Sequence, residues 1–361
     1  MAKAFDGNVP TEFFYGALEM QQRKDIFVGF HEVDLDFAPG VVGGLANILA
    51  QKEVLPEKLN GSALEQIKNS LKVLNDYDCV VATTSGIAFA LAAWKSLCFS
   101  CPPIVAIHCG LLNNPYSFLK KKLTAYLMRQ MSTVLFGEGE LSVLQKIAPN
   151  AFITVKQFGV DINFWQPGNS QTTEGPYILA VGNDGRRDFE TLIRAVDGLD
   201  IPCRILTKRK LPKLLPSNVE HIHGGWHSGG VSDQELRTLY QQASCVVVPL
   251  WESEQPSGQS VTLQAMACGR PVILSRTKGL WSKEMMKDYV NVLLVEPGDA
   301  ELLKNALLQV LQSKDLADRL GEAARDTVTV SADIHSFAEG ILETCHTAMK
   351  GKCLPRSSHV S

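Results

Sequence analysis

Short, unbroken apolar runs recur along the chain, and amphipathic stretches separate them. In the first half they are DIFVGF (25–30), CVVATT (79–84), PIVAIHC (103–109), TVLFG (133–137) and FITVKQF (152–158). The pattern restarts with YILAVG (177–182), CRILTK (203–208), VEHIHG (219–224), CVVVPL (245–250), PVILS (271–275) and NVLLVEP (291–297). Strands that are apolar at nearly every position are covered on both faces, as the strands of parallel sheets are. Stretches such as SALEQIKNSLKVLN, YSFLKKKLTAYLMRQM and SDQELRTLYQQA supply the covering helices, the last with Ser232 or Asp233 as its N-cap. The expectation is an α/β chain of two tandem doubly wound, Rossmann-like domains facing across a cleft, where ligands meet the C-terminal strand ends.

QPGNSQTTEGP (166–176) is the one clear linker, so the boundaries are read as 1–165, 177–332 and a C-terminal helix, 333–350, returning to the first domain. A length of 361 residues agrees with two domains of roughly 100–200 residues each. The first domain lacks a convincing opening strand, AKAFDG being short; either that strand is weak or the chain starts inside the usual domain. A net charge of −3 gives no general basic field, so nucleic acid is not an expected partner. No segment reads as a signal peptide or a membrane span, and a soluble, cytoplasmic protein is expected. Most of the nine cysteines lie in apolar runs and read as small hydrophobes; Cys98 and Cys101 have CxxC spacing without a second pair.

Two strand-to-helix turns carry the chemistry. AVGNDGRRDFETLIRA runs from a strand through Gly182, Asn183 and Gly185 to Arg186 and Arg187 and then into a helix. Helix N-termini present unpaired N–H groups, and arginine presents a forked donor matched to phosphate. No GxxxxGK[ST] motif occurs, so this is no P-loop, and a plain turn with solvated arginines is the alternative. In QPSGQSVTLQAMACGRPV (255–272), Ser257, Gly258, Gln259 and Ser260 enter a helix that Gly269 ends, and Gln264 lies one turn beyond Ser260. The alternative there is a capped helix, with serine as N-cap. DLD (34–36), DYD (76–78) and the histidines of HIHGGWH look like metal motifs but read better as structural, so no metal is expected.

Together, PPIVAIHC, FGVDINFWQP, YILAVGNDGRRDFETLIRA and DQELRTLYQQASCVVVPLWESEQPSGQSVTLQAMACGRPVI resemble, in order and spacing, the retaining family 4 (group 1) glycosyltransferases of GT-B architecture. The resemblance implies transfer of a sugar from a nucleotide-diphosphate-sugar to a hydroxyl acceptor, with retention, no metal and no cofactor. The first domain would then be the acceptor side. His108 would sit beside the reacting sugar, and Arg187, with Arg186 as its neighbour, on the donor diphosphate. Gly182 and Asn183 would complete that turn, and Ile222 and His223 would line the base pocket. Two glutamates of the family pattern are replaced, by Pro256 and Gln264. Gln264 would take the ribose. The SerGlyGlnSer turn, with Glu252 or Glu254 upstream, would stand in for the first; Glu252 is taken as the catalytic carboxylate. A nucleotide-sugar 2-epimerase or hydrolase of the same architecture, or a degenerate donor-binding member, remain as rivals. The basic amphipathic segment 116–131, with Lys120–Lys122 and Arg129 around Leu119, Leu123, Tyr126 and Leu127, is a candidate for peripheral contact with the inner face of a membrane; a core-facing helix with a solvated edge is the alternative.

Overall fold

The computed structural model describes residues 7–33, 40–56, 58–111, 117–168, 175–224 and 230–351, without the side chains of 41 and 42. The DLD motif, the linker residues 169–174, His227 and the tail beyond 351 lie outside the described residues. The chain forms two compact units: an N-terminal unit of Glu19–Lys156 and Ala338–Ser361, and a C-terminal unit of Met1–Leu18 and Gln157–Phe337.

The N-terminal unit is built on β1 (Val80–Ala82), β2 (Ile104–His108), β3 (Ser132–Leu135) and β4 (Phe152–Val155), a parallel sheet in that order. Its helices include α1 (Val41–Gln51), α2 (Gly61–Leu74), α3 (Ser85–Ser96), α4 (Phe118–Met128) and α5 (Leu141–Ile147). Asn60 starts α2 by accepting the Ala63 N–H, and Ala63, Ile67, Leu71 and Leu74 recur on its buried face. Trp94 of α3 donates its indole N–H to the Leu64 carbonyl of α2 at 2.6 Å, so a large buried ring keeps its one polar atom paired.

The expected strand at 25–30 does not form. Those residues are irregular, and Phe27 is 82% exposed, stacked on Tyr77 at 6.2 Å. A strand needs a neighbour for its backbone N–H and C=O groups, and β1, only three residues long, pairs with β2 alone among the described strands.

The C-terminal unit holds β5 (Ile178–Val181), β6 (Cys203–Thr207), β7 (Val219–His223), β8 (Cys245–Val248), β9 (Val272–Ser275) and β10 (Leu293–Val295). All are parallel, in the order β10-β9-β8-β5-β6-β7. The sheet therefore grows outward from β5 in one direction and then, from β8, in the other. This is the doubly wound order with its switch point between β5 and β8. Helices α6 (Phe189–Val196), α7 (Asp233–Gln242), α8 (Gln259–Ala267), α9 (Ala300–Gln312) and α10 (Lys314–Ser331) belong to this unit. Ser232 caps α7 in a reciprocal box with Glu235. Helix α11 (Ile334–Met349) begins in this unit and counts with the N-terminal unit from Ala338.

Residues 7–18 and 157–168 pack with the C-terminal unit, whereas the sequence suggested a first domain running to 165. The reason is hydrogen bonding: buried Trp165 donates to Glu12, and Val160 bridges to Asp333. Among the described residues no helix is long and apolar enough to cross a membrane.

Candidate functional site

The switch point of the C-terminal unit gathers both turns singled out in the sequence. β5 ends at Val181, and the turn that follows from Gly182 is pinned to the end of β8. The Asp188 N–H donates to the Pro249 carbonyl at 3.0 Å, and the Trp251 N–H to the Arg186 carbonyl at 2.9 Å. Arg187 stands between these segments with only 4% of its surface exposed.

Two glycines make room for that guanidinium. A Cβ on Gly182 would lie 2.1 Å from Arg187 Nε, and one on Gly258 would lie 3.1 Å from its Nη1 and 2.6 Å from Val248 Cγ1. Gly258, not a serine, is the N-cap of α8, in the left-handed conformation at φ 77°. The beginning of α8 and the β5–α6 turn thus converge on one cation. We expect Gly258→Ala to destabilise the protein by about 2–3 kcal/mol, from backbone strain plus overpacking, as read by denaturant unfolding.

Arg187 is incompletely paired. Asp184 Oδ2 forms an ion pair with Nε at 2.8 Å, and neither Nε nor Nη1 has a hydrogen-bond partner. Buried donors without partners are rare in folded proteins and call for an explanation. A guanidinium with open, buried N–H groups is suited to a phosphate oxygen.

The other expected residues divide. Asn183 Oδ1 accepts from the Lys208 N–H at 2.6 Å and from Thr207 Oγ1 at 3.2 Å, tying the ends of β5 and β6 together. Arg186 is half-exposed, its N–H donating to Asp184 Oδ1. Ser257 and Ser260 are half-exposed at the start of α8, and Gln259 is buried. Glu252 Oε1 accepts the Ser253 and Lys278 N–H groups, each at 2.9 Å, a loop-organising role. Ile222 and His223 end β7, the edge strand, opposite Leu206 and Thr207 of β6.

Gln264 departs most from its expected place. It is buried; its Nε2 donates to Glu12 Oε1 at 2.9 Å, and its Oε1 accepts from the Tyr240 hydroxyl at 3.3 Å. Its amide faces protein, not an open surface. Glu12 is fully buried, and burial raises its pKa from 4.5 to about 7 against the opposing hydrogen bonds from Gln264 and Trp165.

His108 belongs to the N-terminal unit, at the end of β2. It is fully buried, Nδ1 sits 3.0 Å from Ser85 Oγ, and Nε2 has no partner. Burial first, and then the charge of Lys58, lowers its pKa to about 3, so the ring is neutral. It can exchange a hydrogen bond but carries no charge. Sequence reasoning missed Glu12, Asp184, Tyr240 and Arg209, whose Nη1 donates to the Asp184 carbonyl at 2.9 Å. Of these only Arg209 left a signal, in the basic run KRK (208–210) that directly follows β6.

Residues 175–313 match the family model of the glycosyl transferases, group 1. That region holds the whole second sheet. Among curated proteins, the chain is 28% identical to an uncharacterized glycosyltransferase of Methanocaldococcus jannaschii over 39% of each chain. It is 27% identical to the lipopolysaccharide core biosynthesis glycosyltransferase LpsE of Rhizobium meliloti, over 47% of this chain and 49% of that one. The chain thus spans less than half the length of these relatives. Among solved structures it resembles the sucrose-phosphate synthase of Thermosynechococcus elongatus (TM-score 0.67, 18% identity, 80% of this chain and 78% of that one). It also resembles Anabaena HepE in complex with UDP-glucose (TM-score 0.65, 16% identity, 80% and 82%). These likenesses bear on the fold. It is the Rossmann-like α/β fold of the solved GT-B glycosyltransferases, with two parallel sheets.

Proposed function

We propose that the chain is a glycosyltransferase that moves a sugar, a hexose by the resemblance, from a nucleotide-diphosphate-sugar to a hydroxyl acceptor, with retention and without a metal. The observation that carries this reading is Arg187: a buried, incompletely paired cation at the switch point of a doubly wound sheet, walled by two glycines. The match of residues 175–313 to the group 1 glycosyltransferases supports it.

As the glycosidic bond to a nucleotide-sugar breaks, negative charge builds on the diphosphate. A fixed guanidinium stabilises that charge most when it has few competing partners and little water around it. Arg187 is shielded from water and, beyond its ion pair with Asp184, leaves Nη1 open, and the first turn of α8 adds N–H groups directed along the helix axis. Calorimetric titration with UDP-, GDP-, ADP- and TDP-sugars, with EDTA present, tests the reading: one donor should bind tightly. Product analysis with and without acceptor alcohols separates transfer from epimerisation, hydrolysis or binding alone.

The acceptor is proposed to be reached at a membrane surface. On α4, Phe118, Leu119 and Tyr126 are exposed beside Lys121 and Lys122, and the Lys122 ammonium lies 4.4 Å from the centre of the Phe118 ring. Lys120, by contrast, is buried, so the basic edge is narrower than the sequence suggested. Leu45, Ile48 and Leu49 of α1 are exposed on one face with Lys52, and Ser117 Oγ donates to the Glu53 carbonyl, joining the ends of these helices. Apolar side chains rimmed by lysine suit an anionic bilayer. We expect the protein to sediment with phosphatidylglycerol-containing vesicles, and Phe118→Ser/Leu119→Ser to abolish this. No sedimentation of the wild type would remove the membrane from the proposal.

A further inference from the structure

Arg187 alone leaves a donor diphosphate unbalanced. Its Nε is ion-paired with the Asp184 carboxylate at 2.8 Å, so the two charges sum to zero. The diphosphate of a nucleotide-sugar carries a negative charge on each phosphate. A neutral pair attracts such a group weakly, and a further cation is needed to offset it.

The turn after β6 brings a cation to the same place. Thr207, the last residue of β6, is fully buried, and its Oγ1 lies 2.7 Å from the Gly182 carbonyl. The same oxygen accepts the Arg209 N–H at 3.0 Å, and Asn183 Oδ1 accepts the Lys208 N–H at 2.6 Å. The loops leaving two neighbouring parallel strands are thus stitched together at their first residues. From this footing the Arg209 side chain crosses to the β5–α6 turn, where Nη1 donates to the Asp184 carbonyl at 2.9 Å. Among the described residues beyond its chain neighbours, a Cβ on Gly185 would meet only that nitrogen, at 3.8 Å, so the turn leaves space beside the guanidinium.

Both guanidiniums therefore touch Asp184, Arg187 on its carboxylate and Arg209 on its carbonyl. Among the described residues no carboxylate forms an ion pair with Arg209. Lys208 and Lys210, which flank it, are exposed, whereas Arg209 is half-buried with its head group anchored on the turn.

The geometry points to Arg209 as a second donor-binding residue, whose guanidinium, anchored on the Asp184 carbonyl, shares the donor diphosphate with Arg187. This rests on Arg187 being the diphosphate ligand. A guanidinium presents a fork of N–H groups, so one bond to a carbonyl leaves others for phosphate oxygens. The two cations differ in setting. Arg187 is buried, while Arg209 stands at the rim, where water competes and salt screens. Arg209 should therefore add less affinity than Arg187, and its share should depend on ionic strength.

The test uses the full chain and calorimetric titration with UDP-glucose, GDP-mannose and ADP-glucose. For the donor that binds, Arg209→Ala should weaken affinity about tenfold at about 0.05 M salt. The loss should shrink to about threefold or less at about 1 M, where the screening length falls to about 3 Å. Arg209→Lys, which keeps the charge without the fork, should recover part of it. A side chain that merely stapled the loop would give a loss indifferent to salt. Thermal unfolding checks that each variant is folded. Arg209→Ala binding as tightly as the wild type, a loss of equal size at both salt concentrations, or Arg209→Lys no better than Arg209→Ala overturns the inference. The donor assignment stands in each case if Arg187→Ala loses the donor. If none of the three sugars binds, or Arg187→Ala binds as well as the wild type, the donor assignment fails and this inference with it.

Discussion

Arg187→Ala is expected to lose nucleotide-sugar binding by at least about a hundredfold, and transfer with it, while remaining folded. The size follows from the burial of the side chain: a charge-assisted pair out of water is worth several times an exposed one. Arg187→Lys tests the geometry. A lysine keeps the charge but offers a point donor, not a fork, and should recover only part of the affinity. The protein should tolerate the loss of the side chain, because Asp184, the carboxylate beside it, is 41% exposed and turns to water. Calorimetry reads affinity, and thermal unfolding checks the fold. Equal donor affinity in wild type and Arg187→Ala would end the phosphate assignment.

The second large effect is on stability. Glu12 has a folded-state pKa of about 7 against an unfolded value near 4.5. The folded state therefore binds the proton more tightly than the unfolded state. The resulting stabilisation is fully present below the unfolded value and is lost as pH rises through the folded one. A shift of this size corresponds to about 3 kcal/mol between acid and alkaline limits. Glu12→Gln is neutral throughout and lacks this dependence. Between about pH 5 and about pH 8 its unfolding free energy should gain on the wild type by about 2–3 kcal/mol, other groups contributing equally to both. Denaturant unfolding at the two pH values measures the difference, and a variant that tracks the wild type throughout would contradict the raised pKa.

The strands were legible because a parallel sheet covered on both faces writes itself as continuous apolar runs; CVVVPL and YILAVG could not easily be anything else. DIFVGF carries the same signal, but a strand is completed by its neighbour, and no described strand pairs with the stretch around Phe27. The two glycine turns were legible as turns because each sets glycine and small polar residues between an apolar strand and a helix. Gln264 misled for the opposite reason. One helical turn from Ser260 is a statement about a helix face, and it does not say what packs on that face. Its partner is Glu12, 252 positions away, and no local pattern marks that pairing. Glu12 itself sits in PTEFFYG, among aromatic residues that give a carboxylate no evident work.

The way the two units share the chain has a practical consequence. Cutting at the linker would give a C-terminal half without Glu12 and an N-terminal half without the stretch from Ala338 onward. Each piece would carry a complete sheet and an incomplete protein. Gln264 would keep a buried donor with nothing to receive it, and Lys156 would lose Glu343, its ion-pair partner at 2.7 Å. Splitting this gene for complementation, or grafting its donor-binding half onto another scaffold, therefore calls for three cuts, not one. The first eighteen residues should travel with the second sheet.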